Sequence, residues 1–130
     1  PALCPSGTQP VECVAKAAIV ILAGAEGPAA VGRVVNGLET AKEFAEAGDP
    51  VEVIFDGAGT QWIPELEDEG HDYYDLYAAV RDHISVCDYC ASAYDVSDAV
   101  DEAGLARLAD YDGHPSIHSL VDDDYEIITY

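Results

Sequence analysis

Cys87-Asp88-Tyr89-Cys90 is the segment of this sequence with the most evident capacity for chemistry. The thiolate, not the thiol, is the nucleophile and the metal ligand, so the place of the pair in the fold decides what it can do. Ile84 to Cys87 reads as a short strand and Ala91 to Val96 as helix, which puts the pair at a strand-to-helix junction. In open α/β sheets, ligands bind at the C-terminal ends of strands. A helix N-terminus also carries about half a positive charge, which favours thiolate over thiol. Arg81 and His83 lie just upstream and are candidates to add positive charge. Asp88, between the two cysteines, and the net charge of −21 act the other way and raise a thiol pKa.

Three chemistries use C-x-x-C. Thiol–disulfide exchange is one, and the motif in a βαβ context points to it. In thioredoxin-like folds, however, the motif follows an early strand, whereas here it follows the third. Zinc is another, since Cys87, Cys90, His114 and His118 have the ligand types of a four-coordinate site. Against it, 23 residues separate Cys90 from His114, more than the finger spacing of about 12 to 15. A domain with its own core also needs no metal to fold, so no metal or other cofactor is expected. The last is sulfur relay, in which a cysteine accepts a terminal sulfur as a persulfide and passes it on. His114 is a candidate base for the thiol, because loops at the C-terminal ends of neighbouring strands meet at one edge. Blander roles stand beside these. Free Cys is often buried as mere packing, and Gly113-His114-Pro115-Ser116 suits a turn and helix start.

The elements that must position these residues follow from periodicity. Ala17 to Ala23 is a continuous apolar run, the pattern of a strand covered on both faces. Gly24 to Pro28 is a turn. From Ala29 to Ala47, Val31, Val34, Val35, Leu38, Ala41 and Ala45 form a helical stripe, stopped by Gly48. Val51 to Phe55 is a second strand, ended by Asp56-Gly57, and Asp56 is expected as a turn former. A loop with Trp62 and Pro64 leads to a helix carrying Tyr73, Leu76, Tyr77 and Val80; Trp62 and Tyr73, Tyr74 and Tyr77 are expected in the core or at a subunit interface. After the third strand come helical stretches Ala91 to Val96 and Ser97 to Ala103, with Ser97 as N-cap. Leu105 to Ala109 is a short fourth strand, Ser116 to Val121 a short helix, and Glu126 to Tyr130 the last strand. Strand, helix, strand in about 40 residues is a βαβ unit, which makes parallel sheets. The expected fold is therefore α/β: a three-layer, doubly wound α/β/α domain over 17–130, with a mostly parallel sheet of about five strands. Residues 1–16, with Cys4 and Cys13, read as a loosely ordered leader.

Composition limits the partners. The chain carries 26 acidic residues against five basic ones (Lys16, Arg33, Lys42, Arg81, Arg107), and the bases are scattered. Nucleic acid and anionic membranes need clustered Lys and Arg, so neither is expected. No apolar run approaches the roughly 20 residues of a membrane helix. No basic-then-apolar opening marks a signal peptide, and the expected compartment is the cytoplasm. The acids are interleaved with apolar residues, as on the solvated face of a folded core. Such a surface is tolerated where salt screens it, the Debye length being about 3 Å at 1 M, so a halophilic setting is expected. Gly24-Ala25-Glu26-Gly27 lacks phosphate-loop spacing and carries an acid where phosphate would sit, so no nucleotide is expected.

The run Val86-Cys87-Asp88-Tyr89-Cys90-Ala91, followed by Asp95-Val96, resembles the active-cysteine segment of the DsrE-like sulfur-relay family. The likeness spans most of the chain from Ala17. It takes in the apolar first strand, the long first helix, the run from Val53 to Gly59 and the terminal strand from Tyr125 to Tyr130. The resemblance implies a homo-oligomer, trimer or hexamer, of three-layer α/β/α domains, in its haloarchaeal acidic form. It implies Cys87 as sulfur carrier, Cys90 as an accessory or resolving thiol, and sulfur donor and acceptor proteins as partners. The rival expectations are an interaction subunit with structural or zinc-binding thiols, and a C-x-x-C thiol–disulfide protein.

Overall fold

A computed structural model describes residues 15–130; the leader thiols Cys4 and Cys13 lie outside the described residues. The apolar run forms β1 (Ala17–Ile21), buried along its whole length. Gly27, with φ +86°, and Pro28 at the first helical position open α1 (Pro28–Glu46). That placement suits proline, whose missing N–H is not needed in a first turn. Ala30, Val34, Leu38 and Ala41 make its buried stripe, and Gly48, with φ +79°, lets the chain turn back. Gly37 lies on the same face. A Cβ there would strike Ile21 Cδ1 and the Tyr130 ring, so this glycine sets how closely α1 approaches the sheet.

After β2 (Val51–Phe55) the expected loop through Trp62 and Pro64 is instead helical. A 3-10 turn over Gly57–Gln61 runs into α2 (Trp62–Leu66). Pro64 falls within the first turn of α2, where no intrahelical donor is lost. The indole N–H of the buried Trp62 donates to Ala23 O at 2.8 Å. Next come α3 (Tyr74–Val80), β3 (Ile84–Cys87), α4 (Asp88–Ala93), α5 (Ser97–Ala103), β4 (Ala106–Leu108), α6 (Ile117–Asp122) and β5 (Glu126–Thr129). Tyr77 is fully buried, whereas Tyr73 is exposed. Ser97 is not the N-cap: Val96 holds that position. Ser97 instead accepts from Arg107 through its carbonyl at 3.1 Å and its hydroxyl at 3.4 Å. Ser116 does cap α6, accepting from Ser119 N at 3.2 Å.

Among the described residues the five strands form one sheet in the order β4-β3-β2-β1-β5, and every pairing is parallel. The α/β class, with a layered α/β/α architecture, is thus as expected. Three successive crossovers step the same way along the sheet, and right-handed crossovers put their helices on one face. There Ile19, Ile21, Val53, Phe55 and Val86 pack with Val34, Leu38, Ile63, Tyr77 and Val100. The return from β4 to β5 crosses the other face and carries α6. Between α6 and the strands lies a cavity of about 420 Å³, bordered by Ile54, Leu108, Pro115 and Leu120.

No helix among the described residues is long and apolar enough to cross a membrane.

Candidate functional site

The parallel registers of β2, β3 and β4 bring their C-terminal ends together. Phe55 pairs with Val86, and Cys87 with Leu108, so the residues that leave these strands converge at one edge. Asp56 follows β2, Cys87 ends β3, Cys90 lies in the first turn of α4, and His114 is in the loop after β4. Ligand atoms of these four residues all lie within 4.8 Å of one another.

Local sequence explains each placement. Cys87 is the N-cap of α4, with extended backbone, and its sulfur accepts the Cys90 backbone N–H at 3.4 Å. That is the capping role usually taken by Ser, Thr, Asp or Asn. His114 is delivered by a two-residue hairpin turn, Tyr111 to His114. Asp112 and Gly113 both have positive φ, at 50° and 83°, and Tyr111 and His114 exchange backbone hydrogen bonds of 2.9 and 2.8 Å. Asp-Gly is a favoured pair for such a turn. Gly113 O accepts from Tyr89 N at 2.9 Å, and the Tyr89 and His114 rings lie 4.7 Å apart, tying turn to helix. Asp56 accepts its neighbour's N–H, from Gly57, at 2.8 Å, as the expected turn former.

The thiols have polar partners. Cys87 Sγ is 3.3 Å from His114 Nδ1 and 3.9 Å from Gly113 O. Cys90 Sγ donates to Asp56 Oδ1 at 3.4 Å and is 4.0 Å from His114 Nδ1. Both sulfurs are free and buried: Cys87 is 0 % exposed and Cys90 9 %. The expectation that the helix N-terminus leaves Cys87 poised as thiolate is therefore overturned. Burial pushes its thiol up to about 12; the Cys90 N–H opposes this, while the Cys90 thiol and the Asp56 charge add to it. A six-residue helix does not offset that desolvation.

Other expected contributors sit elsewhere. Arg81 and His83 precede β3, so they lie at its opposite end, roughly 13 Å or more from Cys87 at strand rise. Arg81 instead binds Glu67 at 2.8 and 3.2 Å and the Ala103 carbonyl. Asp88, expected to oppose ionisation, is paired with Arg107 at 3.1 Å. His118 is exposed on α6 and outside the cluster; Asp56 takes the fourth place that it held in the sequence pattern. Asp56 as a site residue was missed. Its signal was positional: it is the residue after β2, and strands joined by a βαβ crossover are more often neighbours than not.

No family model matches the chain. The fold is similar to that of a conserved protein of unknown function, BT1422 from Bacteroides thetaiotaomicron. The TM-score is 0.58 at 12% identity, over 87% of this chain and 94% of that one, a likeness of fold alone. The uncharacterized protein MJ0733 of Methanocaldococcus jannaschii is 33% identical over 88 residues, which are 68% of this chain and 72% of that protein. With that identity over that share of both chains, this chain belongs to the MJ0733 family.

Proposed function

We propose that this protein is a cytoplasmic sulfur carrier of the DsrE-like type, working as a homo-oligomer between sulfur donor and acceptor proteins, with Cys87 as the carrier. The observation that carries the reading is the 3.3 Å approach of Cys87 Sγ to His114 Nδ1, with a second thiol three residues on. A thiol beside an imidazole is the arrangement by which a weak nucleophile is activated. His114 takes the Cys87 proton. The thiolate then attacks the terminal sulfur of a donor persulfide; a new S–S bond forms, the donor's S–S bond breaks, and the donor leaves as thiolate. An acceptor thiolate repeats the exchange and returns Cys87 as thiolate, with no net redox change. Alternatively Cys90 attacks Cys87 Sγ and releases hydrosulfide. The Cys87–Cys90 disulfide so formed needs an external dithiol to restore it.

Cys87 is buried and its thiol is pushed up to about 12. A donor must therefore engage the rim, where Tyr89 and Tyr111 are exposed beside the His114 turn. Intact-mass analysis after incubation with a persulfide donor tests the reading. One added sulfur in the wild type, absent from Cys87→Ser, is expected; an equal gain in Cys87→Ser overturns the assignment.

A further inference from the structure

We infer that Asp56, Cys87, Cys90 and His114 form a tetrahedral site for a borderline-soft divalent cation, Zn²⁺ foremost, whose occupancy closes both thiols to sulfur. The regulatory half of this inference rests on the carrier reading; the metal affinity does not. The geometry is the ground for it. Bonds of about 2.3 Å to sulfur and 2.0 to 2.1 Å to nitrogen or oxygen set tetrahedral ligand–ligand edges of roughly 3.5 Å between sulfur and a nitrogen or oxygen. The corresponding separations here are 3.3 Å (Cys87–His114), 3.4 Å (Cys90–Asp56) and 4.0 Å (Cys90–His114). These three edges lie within about 0.5 Å of that value, and all four ligand atoms lie within 4.8 Å of one another, so side-chain adjustment alone would close them on one ion.

The donor set selects the ion. Two sulfurs and an imidazole suit zinc, cobalt(II) or iron(II) and not magnesium or calcium, which require oxygen shells. The ligands are also held from outside, as metal ligands usually are. The Cys90 N–H fixes the Cys87 sulfur, the Gly57 N–H fixes Asp56 Oδ1, and Tyr89 lies against the His114 ring. Binding converts both thiols to thiolates and releases two protons, so the ion with two thiolates, one carboxylate and a neutral imidazole carries a net charge of −1. The ion holds both sulfur lone pairs, and neither can attack a persulfide. Zinc-bound and sulfur-loaded protein are mutually exclusive states.

The test uses reduced, chelator-treated full chain in molar KCl, titrated with Zn²⁺ against a chromophoric chelator and, separately, with Co²⁺. One ion per chain is expected, with the intense visible bands of tetrahedral cobalt and thiolate-to-cobalt charge transfer. Cys90→Ser and His114→Ala each weaken zinc by more than about 100-fold, beyond the 10–100-fold cost of second-shell changes. Asp56→Asn weakens it about tenfold, and His118→Ala leaves it unchanged. Weak binding of several ions that survives Cys90→Ser, or octahedral cobalt spectra, overturns the site. Persulfide uptake is then measured with and without one equivalent of zinc. Uptake by metal-free protein that zinc does not suppress overturns the regulatory role. Zinc binding with no uptake in either state defeats the carrier reading and leaves the metal site standing.

Discussion

A thiol enclosed by an imidazole, a carboxylate and a second thiol has a reactivity set by who takes its proton. Removing the imidazole from the proposed carrier, as His114→Ala, should slow sulfur uptake about 10²-fold, the lower range for a positioned general base; single-turnover mass spectrometry would measure it. The raised Cys87 thiol has a second consequence. Its folded value of about 12 exceeds its ordinary 9.0, so the folded state keeps a proton that the unfolded chain releases. Stability from this group is complete below about pH 9 and is lost as pH rises toward 12. Denaturant melts across that window should show the fall, and Cys87→Ser should show less of it, the remainder coming from Tyr77, whose buried hydroxyl is also pushed up. Replacing Asp56 by Asn removes one charge that holds the thiol up, so alkylation of Cys87 in chelator-treated protein should shift to lower pH. The C-x-x-C pair and His114 were legible as candidates because their residue types are chemically conspicuous. Asp56 was not, because an Asp before Gly is explained by the turn it makes.

At the scale of elements, the ionic cluster of Glu67, Tyr77 and Arg81 joins α2, α3 and α5. Tyr77 OH donates to Glu67 Oε2, and Arg81 reaches both that carboxylate and the Ala103 carbonyl at the end of α5. Partial burial tends to raise the Glu67 pKa, but hydrogen bonds from Arg81 and Tyr77, with the Arg81 charge, outweigh it and hold the carboxyl below its ordinary 4.5. The folded value is depressed, so the contribution is present above about pH 4.5 and is lost as pH falls through the folded value. Glu67→Gln should cost about 1–2 kcal/mol at pH 7 and flatten the acid limb of a pH–stability curve. Packing of α1 onto β1 offers a sharper measure. Gly37→Ala places a methyl against Ile21 and Tyr130, and should destabilise by about 1–3 kcal/mol despite its better helix propensity. Hydrophobic periodicity located α1 and the strands. It did not reveal α2, whose five residues are too few to show a helical period, nor the diversion of Ser97 to Arg107, a partner ten positions away.

The whole molecule carries a formal charge of −21, and its folded form concentrates that charge on the surface of a small domain. We propose that the acids suit a salt-rich setting, so raising KCl from low to molar concentration should increase Tm, by about 4 °C for each kcal/mol of repulsion screened. Calorimetry at several salt concentrations, with light scattering for the proposed oligomer, would check both. Residue order alone was enough for the α/β class and for the strand-to-helix junction at Cys87. Both rest on local periodicity and on the strong rule that successive parallel strands are joined by right-handed crossovers. The membership of the site needed the folded chain. Asp56, Cys87 and His114 are separated by 31 and 27 positions, and they meet because three parallel strands end in register. Whether the sulfur is ionised depended on the fold even more strongly: the charge of a helix terminus can be read from sequence, but the water withdrawn from a buried thiol cannot.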